Sequence, residues 1–314
     1  MSSARKPERE TPERREVRGA SRREFLKTAL TGAGALAGVP AAAEAFDIEA
    51  FMQKHFRELS DDELRAVLKR LERRYSRRYA KPVRVDATGP IDGVVYGYGL
   101  DVSRCIGCRR CVYACVEENN PSRDPEIHWI RVLEFERERV IRGFNLEEGN
   151  PYYDHEKVPA EGKLYLPIAC QQCEDSPCTN VCPTGATWQE PDGIVVIDYD
   201  WCIGCRYCMA ACPYGARHFN WGEPRIPKEK LNPDTHYLGN RPRPRGVVEK
   251  CTFCIHRVRK GRYPACVEAC PVGARKFGNL LDPNSEIRYL LRKKRTFVLK
   301  SELGTRPKFF YFYG

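Results

Sequence analysis

Apolar positions first recur at helical spacing over residues 47–80. Ile48, Phe51, Met52, His55, Phe56 and Leu59 keep one face and predict a first helix. Ser60-Asp-Asp-Glu63 has the form of a capping box, where hydroxyl and carboxylate satisfy each other's free amides, and predicts the start of a second. That helix sets Leu64, Val67, Leu68, Leu71 and Tyr75 against a face of Arg65, Lys69, Arg70, Arg73, Arg74, Arg77 and Arg78. The basic face is read as solvated, or as a contact with a partner subunit or an anionic membrane surface. Further on the runs shorten. Ile127–Glu136 and Ile194-Val-Val-Ile197 read as strands, the second bounded by a Pro191-Asp-Gly turn, and Gly149-Asn-Pro-Tyr-Tyr reads as turns. Residues 221–245, rich in proline and arginine, read as a wrapping loop. The end, Lys308-Phe-Phe-Tyr-Phe-Tyr-Gly314, has too few aromatics for a bilayer anchor and is expected to pack as a strand on the core or under a partner.

The first 45 residues read as a leader. Residues 1–20 are polar, carry Pro7 and Pro12, and are expected to be disordered. Ser21-Arg22-Arg23-Glu24-Phe25-Leu26-Lys27 matches the twin-arginine export signature, followed by a Gly/Ala-rich run from Thr28 to Ala43 and small residues at Ala43-Glu44-Ala45. That run is too short and too weakly apolar for a membrane helix. The mature chain is expected to start near Phe46. The twin-arginine route carries proteins already folded, which suits cofactors assembled before export.

The sixteen cysteines fall into four groups of four with none left over. Cys202-Ile-Gly-Cys205-Arg-Tyr-Cys208-Met-Ala-Ala-Cys212-Pro213 has the C-x2-C-x2-C-x3-C-P spacing of bacterial [4Fe–4S] ligands. Its two-residue gaps wrap backbone round one corner of a cubane, and the three-residue gap opens a short helix that carries the fourth thiolate to a neighbouring cluster. Gly204 suits the tight wrap, where a side chain would crowd inorganic sulfur, and Pro213 stops the helix. Cys105, Cys108, Cys111 and Cys115 repeat the spacing but end in Val116; Cys170, Cys173, Cys178 and Cys182 widen the middle gap; Cys251, Cys254, Cys266 and Cys270 place eleven residues there. Three groups end alike, in Cys182-Pro-Thr-Gly-Ala, Cys212-Pro-Tyr-Gly-Ala and Cys270-Pro-Val-Gly-Ala, so the chain repeats one ligand unit. Zinc ribbons lack such triplets, and cysteines two residues apart are poorly placed for disulfides.

The crossover rule assigns each thiol. Cys202, Cys205 and Cys208 share a cluster with Cys182, and Cys170, Cys173 and Cys178 with Cys212, making one two-cluster module. By exclusion the first and fourth groups make the other: Cys105, Cys108 and Cys111 with Cys270, and Cys251, Cys254 and Cys266 with Cys115. Four [4Fe–4S] clusters are expected, about sixteen iron atoms per chain. Charge fits them. The formal +11 falls to +8 without residues 1–45, and four oxidised clusters at about −2 each bring the loaded chain near neutrality, so no nucleic-acid partner is needed.

The fold class expected is α+β: two interlocked bacterial-ferredoxin-like dicluster modules with loop insertions and an N-terminal helical extension. The divisions are a leader at 1–45, a basic helical extension at 46–86, an outer module at 87–120 with 246–282, an insertion at 121–164, an inner module at 165–220, the wrapping loop at 221–245 and a C-terminal tail at 283–314. His55, His128, His155, His218, His236 and His256 are scattered without metal-ligand spacing, and no dinucleotide fingerprint, P-loop or nucleophile elbow occurs. No active site of the chain's own is therefore expected. An enzyme with its own site would turn over substrate unaided, and a zinc module with a basic nucleic-acid face would be colourless where cluster protein is brown.

From about residue 95 to 310 the chain resembles the four-cluster iron–sulfur subunits of the molybdopterin oxidoreductase superfamily and of polysulfide-reductase-like respiratory complexes. The cysteine groups, Lys276-Phe-Gly-Asn-Leu-Leu-Asp-Pro-Asn-Ser-Glu286 and Leu299-Lys-Ser-Glu-Leu-Gly304 carry the resemblance. It implies a wire relaying single electrons between an integral-membrane quinone-reactive subunit, of polysulfide-reductase type, and a catalytic molybdopterin, hydrogenase or multihaem cytochrome subunit. The alternative is direct docking on a molybdopterin subunit. With its own export signal the chain is similar to members associated with nitrite reduction, periplasmic hydrogenase or sulfur metabolism, held at the outer face of the cytoplasmic membrane through a partner. Arg104, Arg109 and Arg110 beside the first group and Lys250 beside the fourth would favour reduced clusters there, unless the arginines are merely solvated.

Overall fold

The capping box forms as expected. Ser60 Oγ accepts from the Glu63 amide at 3.3 Å, the Glu63 carboxylate accepts from the Ser60 amide at 2.8 Å, and helix α1 runs Asp61–Tyr79. The computed structural model describes residues 53–314, so the leader and Ile48–Met52 lie outside the described residues. Val67, Leu71, Tyr75 and Tyr79 bury the apolar face of α1 in the main core, while Arg65, Lys69, Arg73, Arg74 and Arg77 face solvent. The first expected helix does not form over its described part, where a single 3-10 turn, Phe56–Glu58, takes its place. The cause is tertiary. The Phe56 ring stacks on Tyr237 at 5.0 Å and Trp188 at 6.1 Å, and its amide donates to Asp198 Oδ2 at 3.3 Å.

The remaining elements are short. In chain order they are β1 (Arg84–Asp86), β2 (Tyr96–Asp101), α2 (Arg110–Asn119), β3 (Arg131–Glu136), β4 (Lys163–Ile168), α3 (Pro177–Asn180), β5 (Thr187–Gln189) and β6 (Val195–Ile197). There follow α4 (Tyr207–Ala210), β7 (His218–Phe219), β8 (Asp234–His236), β9 (Val248–Glu249), α5 (Ile255–Val258), α6 (Ala265–Glu268), β10 (Arg275–Asn279), α7 (Glu286–Lys293), β11 (Thr296–Phe297) and β12 (Phe309–Phe312). One sheet has four strands, ordered β10-β2-β12-β11; the pairs β1-β8, β3-β4, β5-β6 and β7-β9 make two-stranded ribbons. The C-terminal aromatics pack on the core as β12, parallel to β2, with Phe309 stacked on Tyr98 at 4.5 Å. The strand expected over Ile127–Glu136 begins only at Arg131 and pairs with β4, and Asn150 of the expected turn docks on it through two 2.9 Å bonds with Glu134.

The wrapping loop is held from inside. Arg241 and Arg243 are 1% and 2% exposed. Arg241 Nη2 lies 3.2 Å from Asp200 Oδ2, and its Nη1 donates to the Tyr75 hydroxyl of α1 at 3.2 Å. Arg243 pairs with the buried Glu249 at 2.8 Å, its guanidinium 4.7 Å from the Trp129 ring. Burial pushes the Glu249 carboxyl up and Arg243 holds it down. Arg243→Met leaves that carboxylate buried without its counter-ion, and is expected to cost about 3–5 kcal/mol in denaturant unfolding of the loaded protein, partly recovered by adding Glu249→Gln. An unchanged midpoint would refute this account of the loop.

Candidate metal centres

Each cysteine group opens with the same backbone device. The third residue of each group's opening Cys-x-x-Cys is left-handed: Gly107 (φ +74°), Gln172 (+46°), Gly204 (+69°) and Phe253 (+55°). The turn curls the chain so that both cysteines flank one point and the amide in the bend faces the first sulfur. Phe253 N donates to Cys251 Sγ at 3.4 Å, and the Gly107 and Gly204 amides hold down the Cys105 and Cys202 thiols that burial pushes up. Gln172 and Phe253 keep this conformation despite their side chains, at about 1–2 kcal/mol each. The need for glycine at 204 has a source beyond the expected crowding of sulfur: a Cβ there would stand 2.1 Å from the Gly246 carbonyl oxygen. Gly204→Ala adds this backbone clash to the left-handed cost of about 1–2 kcal/mol, so a lowered thermal midpoint is expected, and an unchanged one would contradict the geometry.

The closing half of the unit is equally regular. Gly185, Gly215 and Gly273 take φ of +66°, +57° and +60°, and each donates its amide to the carbonyl of Cys182, Cys212 or Cys270 at 3.3 Å. The helix before each of these cysteines (α3, α4, α6) is four residues long. The first group has Val116 in place of proline, and its helix α2 runs on to Asn119 with Cys115 inside it.

The thiols converge across groups. Cys182, Cys202, Cys205 and Cys208 line one cavity, and Cys105, Cys108, Cys111 and Cys270 line another. Among the described residues no three His, Cys, Asp or Glu side chains converge tightly enough for a single ion. The other two sets are seen through their charges. Burial pushes Cys115 up, then Cys251, Cys254 and Cys266, and Asn119 Nδ2 reaches Cys115 Sγ at 3.6 Å and Cys254 Sγ at 3.4 Å. Burial pushes Cys173 up to about 12, with Cys170, Cys178 and Cys212 adding to the rise. Cys105 and Cys251 are likewise pushed up to about 12 by burial. Thiolates can persist at such sites only against a positive core, so the donor set fits bound iron–sulfur clusters.

Exposure is graded. Cys105, Cys108 and Cys270 at one cavity and Cys182, Cys202 and Cys205 at the other are partly exposed, whereas Cys115, Cys251, Cys254 and Cys266 are all buried, as are Cys170, Cys173 and Cys178, with Cys212 partly exposed.

The arginines singled out from the sequence are not those that reach sulfur. Arg104 and Arg110 are exposed; Arg109 donates to the Pro151 carbonyl and lies 4.5 Å from the Tyr153 ring. Arg217 Nη2 instead reaches Cys178 Sγ at 2.9 Å, and Arg275 Nη2 reaches Cys111 Sγ at 3.0 Å. A signal for them was present: the repeated ending extends one residue further, to Cys-Pro-x-Gly-Ala-Arg, in two of its three copies. Lys250 is wholly buried between the Val195 and Cys251 carbonyls. The histidines are structural or peripheral: His236 bonds the Thr88 carbonyl at 3.0 Å, and His256 pairs with Glu118 at 2.6 Å.

Residues 104–186, and 162–244 with 240–280, match 4Fe–4S dicluster domain families. A putative iron–sulfur subunit of dimethyl sulfoxide reductase from Halobacterium salinarum is 46% identical over 222 residues, 70% of this chain and 79% of that one. A selenate reductase subunit from Mesobacillus selenatarsenatis is 36% identical over 312 residues, 95% of this chain and 98% of that one. The iron–sulfur cluster-binding subunit of menaquinone reductase from Nitratidesulfovibrio vulgaris is 38% identical over 247 residues, 69% of this chain and 88% of that one.

Proposed function

The chain belongs to the family of iron–sulfur subunits built from 4Fe–4S dicluster domains, and from that premise we propose that it relays single electrons between two partner subunits of a respiratory complex. It carries four [4Fe–4S] clusters, each of which supplies one-electron exchange without bond making at the protein. The ligand sets are those of the crossover rule: Cys105, Cys108, Cys111 and Cys270; Cys115, Cys251, Cys254 and Cys266; Cys170, Cys173, Cys178 and Cys212; Cys182, Cys202, Cys205 and Cys208. The observation that carries the relay reading is the order of thiol neighbours. Arg275 reaches Cys111 Sγ at 3.0 Å and, through the Tyr98 hydroxyl, Cys266 Sγ at 3.3 Å; Gln172, between Cys170 and Cys173, donates to the Cys251 carbonyl at 2.8 Å; and Arg217 reaches Cys178 Sγ at 2.9 Å while lining the cavity of Cys202, Cys205 and Cys208, so the sets follow one another in a single file. The file ends in its two most exposed sets. The residues of the chain hold and orient: left-handed turns aim amides at sulfur, and the core excludes water from the middle sets.

One end of the file would meet an integral-membrane quinone-reactive subunit and the other a catalytic molybdopterin, hydrogenase or multihaem cytochrome subunit. No helix among the described residues is long and apolar enough to cross a membrane, which suits attachment through such a partner. Direct docking on a molybdopterin subunit is the second reading, favoured by relatives named as dimethyl sulfoxide reductase and selenate reductase subunits. The leader of residues 1–45 would export the loaded chain by the twin-arginine route. Gentle detergent extraction with the chain as bait is expected to bring down a membrane subunit and a cofactor-bearing one, and menaquinol is expected to reduce the chain only in that complex. A chain that turns over substrate alone would overturn the relay.

A further inference from the structure

A buried cation stands at each of the three junctions along the file. At the first, Arg275 Nη2 donates to Cys111 Sγ at 3.0 Å and Nη1 to the Tyr98 hydroxyl at 2.9 Å; that hydroxyl, already accepting, lies 3.3 Å from Cys266 Sγ. One guanidinium thus reaches a thiol of each flanking set, the second through one tyrosine. At the third, Arg217 Nη2 donates to Cys178 Sγ at 2.9 Å while its side chain lines the cavity of Cys182, Cys202, Cys205 and Cys208. Its Nη1 is buried with no hydrogen-bond partner among the described residues, a donor the protein leaves unmet beside that cavity. At the middle junction Lys250 Nζ donates to the Cys251 carbonyl at 2.9 Å and to that of Val195, where Gln172 ties the two cysteine loops together by donating to the Cys251 carbonyl and accepting from the Val195 amide, both at 2.8 Å.

These side chains are 4%, 4% and 0% exposed. Among the described residues neither arginine is within ion-pair distance of a carboxylate; their acceptors are sulfur and hydroxyl. A buried guanidinium without a counter-ion is strongly unfavourable, so the negative charge that keeps it must come from the sets on either side. Both arginines hold one place in the repeat, the residue after Cys-Pro-x-Gly-Ala, so the same device was laid down twice.

We propose that Arg217 and Arg275, with Lys250 between them, act as positioning residues that place a positive charge between neighbouring clusters and raise the potential of both neighbours. The proposal rests on the four-cluster relay. Adjacent sites then hold electrons together more readily, which suits a wire feeding a two-electron catalyst one electron at a time.

The test is an electron paramagnetic resonance redox titration of loaded full-length protein, with iron and sulfide counted on each sample. Arg217→Gln is expected to make two of the four clusters harder to reduce, and Arg275→Gln the other two, each by at least about tenfold in the reduction equilibrium, ~59 mV for a one-electron couple. Arg217→Lys keeps the charge and is expected to recover most of the shift. Tyr98→Phe removes only the relay to Cys266 and is expected to lower one cluster; it reads the first junction even if a Gln variant loads poorly. Unmoved potentials in fully loaded Gln variants, or in Tyr98→Phe where these fail to load, would overturn the proposal. So would a Lys variant that shifts as far as Gln. Failure of the relay itself would look different, as wild-type protein without about sixteen iron atoms and four one-electron signals.

Discussion

Cys212→Ala and Cys173→Ala are expected to strike the same cluster signal, although Cys212 closes the run that begins at Cys202. The four-residue helix α4 carries residue 212 away from its own triplet. The cavity bounded by Cys202, Cys205 and Cys208 is completed by Cys182, and after burial and the Ala216 amide the strongest influence on Cys212 is Cys170. Cys182→Ala and Cys205→Ala should accordingly affect a second signal together. Each variant is expected either to lose about four of sixteen irons or to convert one cluster to a three-iron form. Both outcomes identify the set by which signal disappears from the spectrum. Cys212→Ala and Cys205→Ala removing one common signal would mean that each run holds its own cluster, and the interlocked ligand scheme would be wrong.

Removing the iron is expected to unfold the cysteine-bearing region outright. Helices α3, α4, α5 and α6 have four residues each, and β5, β6, β7 and β9 only two or three. A single turn of helix costs more to nucleate than its few hydrogen bonds return, and isolated two-stranded ribbons are marginal in water. Left-handed Gln172 and Phe253 add strain. Iron binding is therefore folding free energy in this chain, as in small metal-dependent domains. Chelation under reducing conditions should abolish the cooperative thermal transition, leaving helical signal chiefly from the nineteen-residue α1. An iron-free protein melting within a few degrees of the loaded one would show that the apolar core suffices.

Much of this was legible because the ligands are written as a repeat. Four spacings and three like endings carry the number of centres and the dicluster family, since a cubane dictates local backbone far more tightly than a hydrophobic core does. The capping box at Ser60 and the aromatic C-terminal strand were legible for local reasons. What escaped was tertiary. Nothing in the pattern around Phe56 says that its ring would leave a helix to stack on Tyr237, 181 positions away in the chain. Arg109 and Arg110 adjoin a cysteine in sequence, but a helix start turns them outward, whereas Arg275 reaches Cys111 from a strand 164 residues later. Reading residues 221–245 as a wrapping loop did not reveal that Arg241 and Arg243 are buried, because burial of a charge depends on a partner that periodicity does not register.

Anomalous diffraction at the iron edge, on crystals of the loaded chain, tests the central claim most directly. Four separate iron sites are expected in single file, each enclosed by one of the four crossover sets, with Arg275, Lys250 and Arg217 in the three gaps between them. Fewer sites, single-atom zinc peaks, or sites each enclosed by one consecutive cysteine run would contradict it.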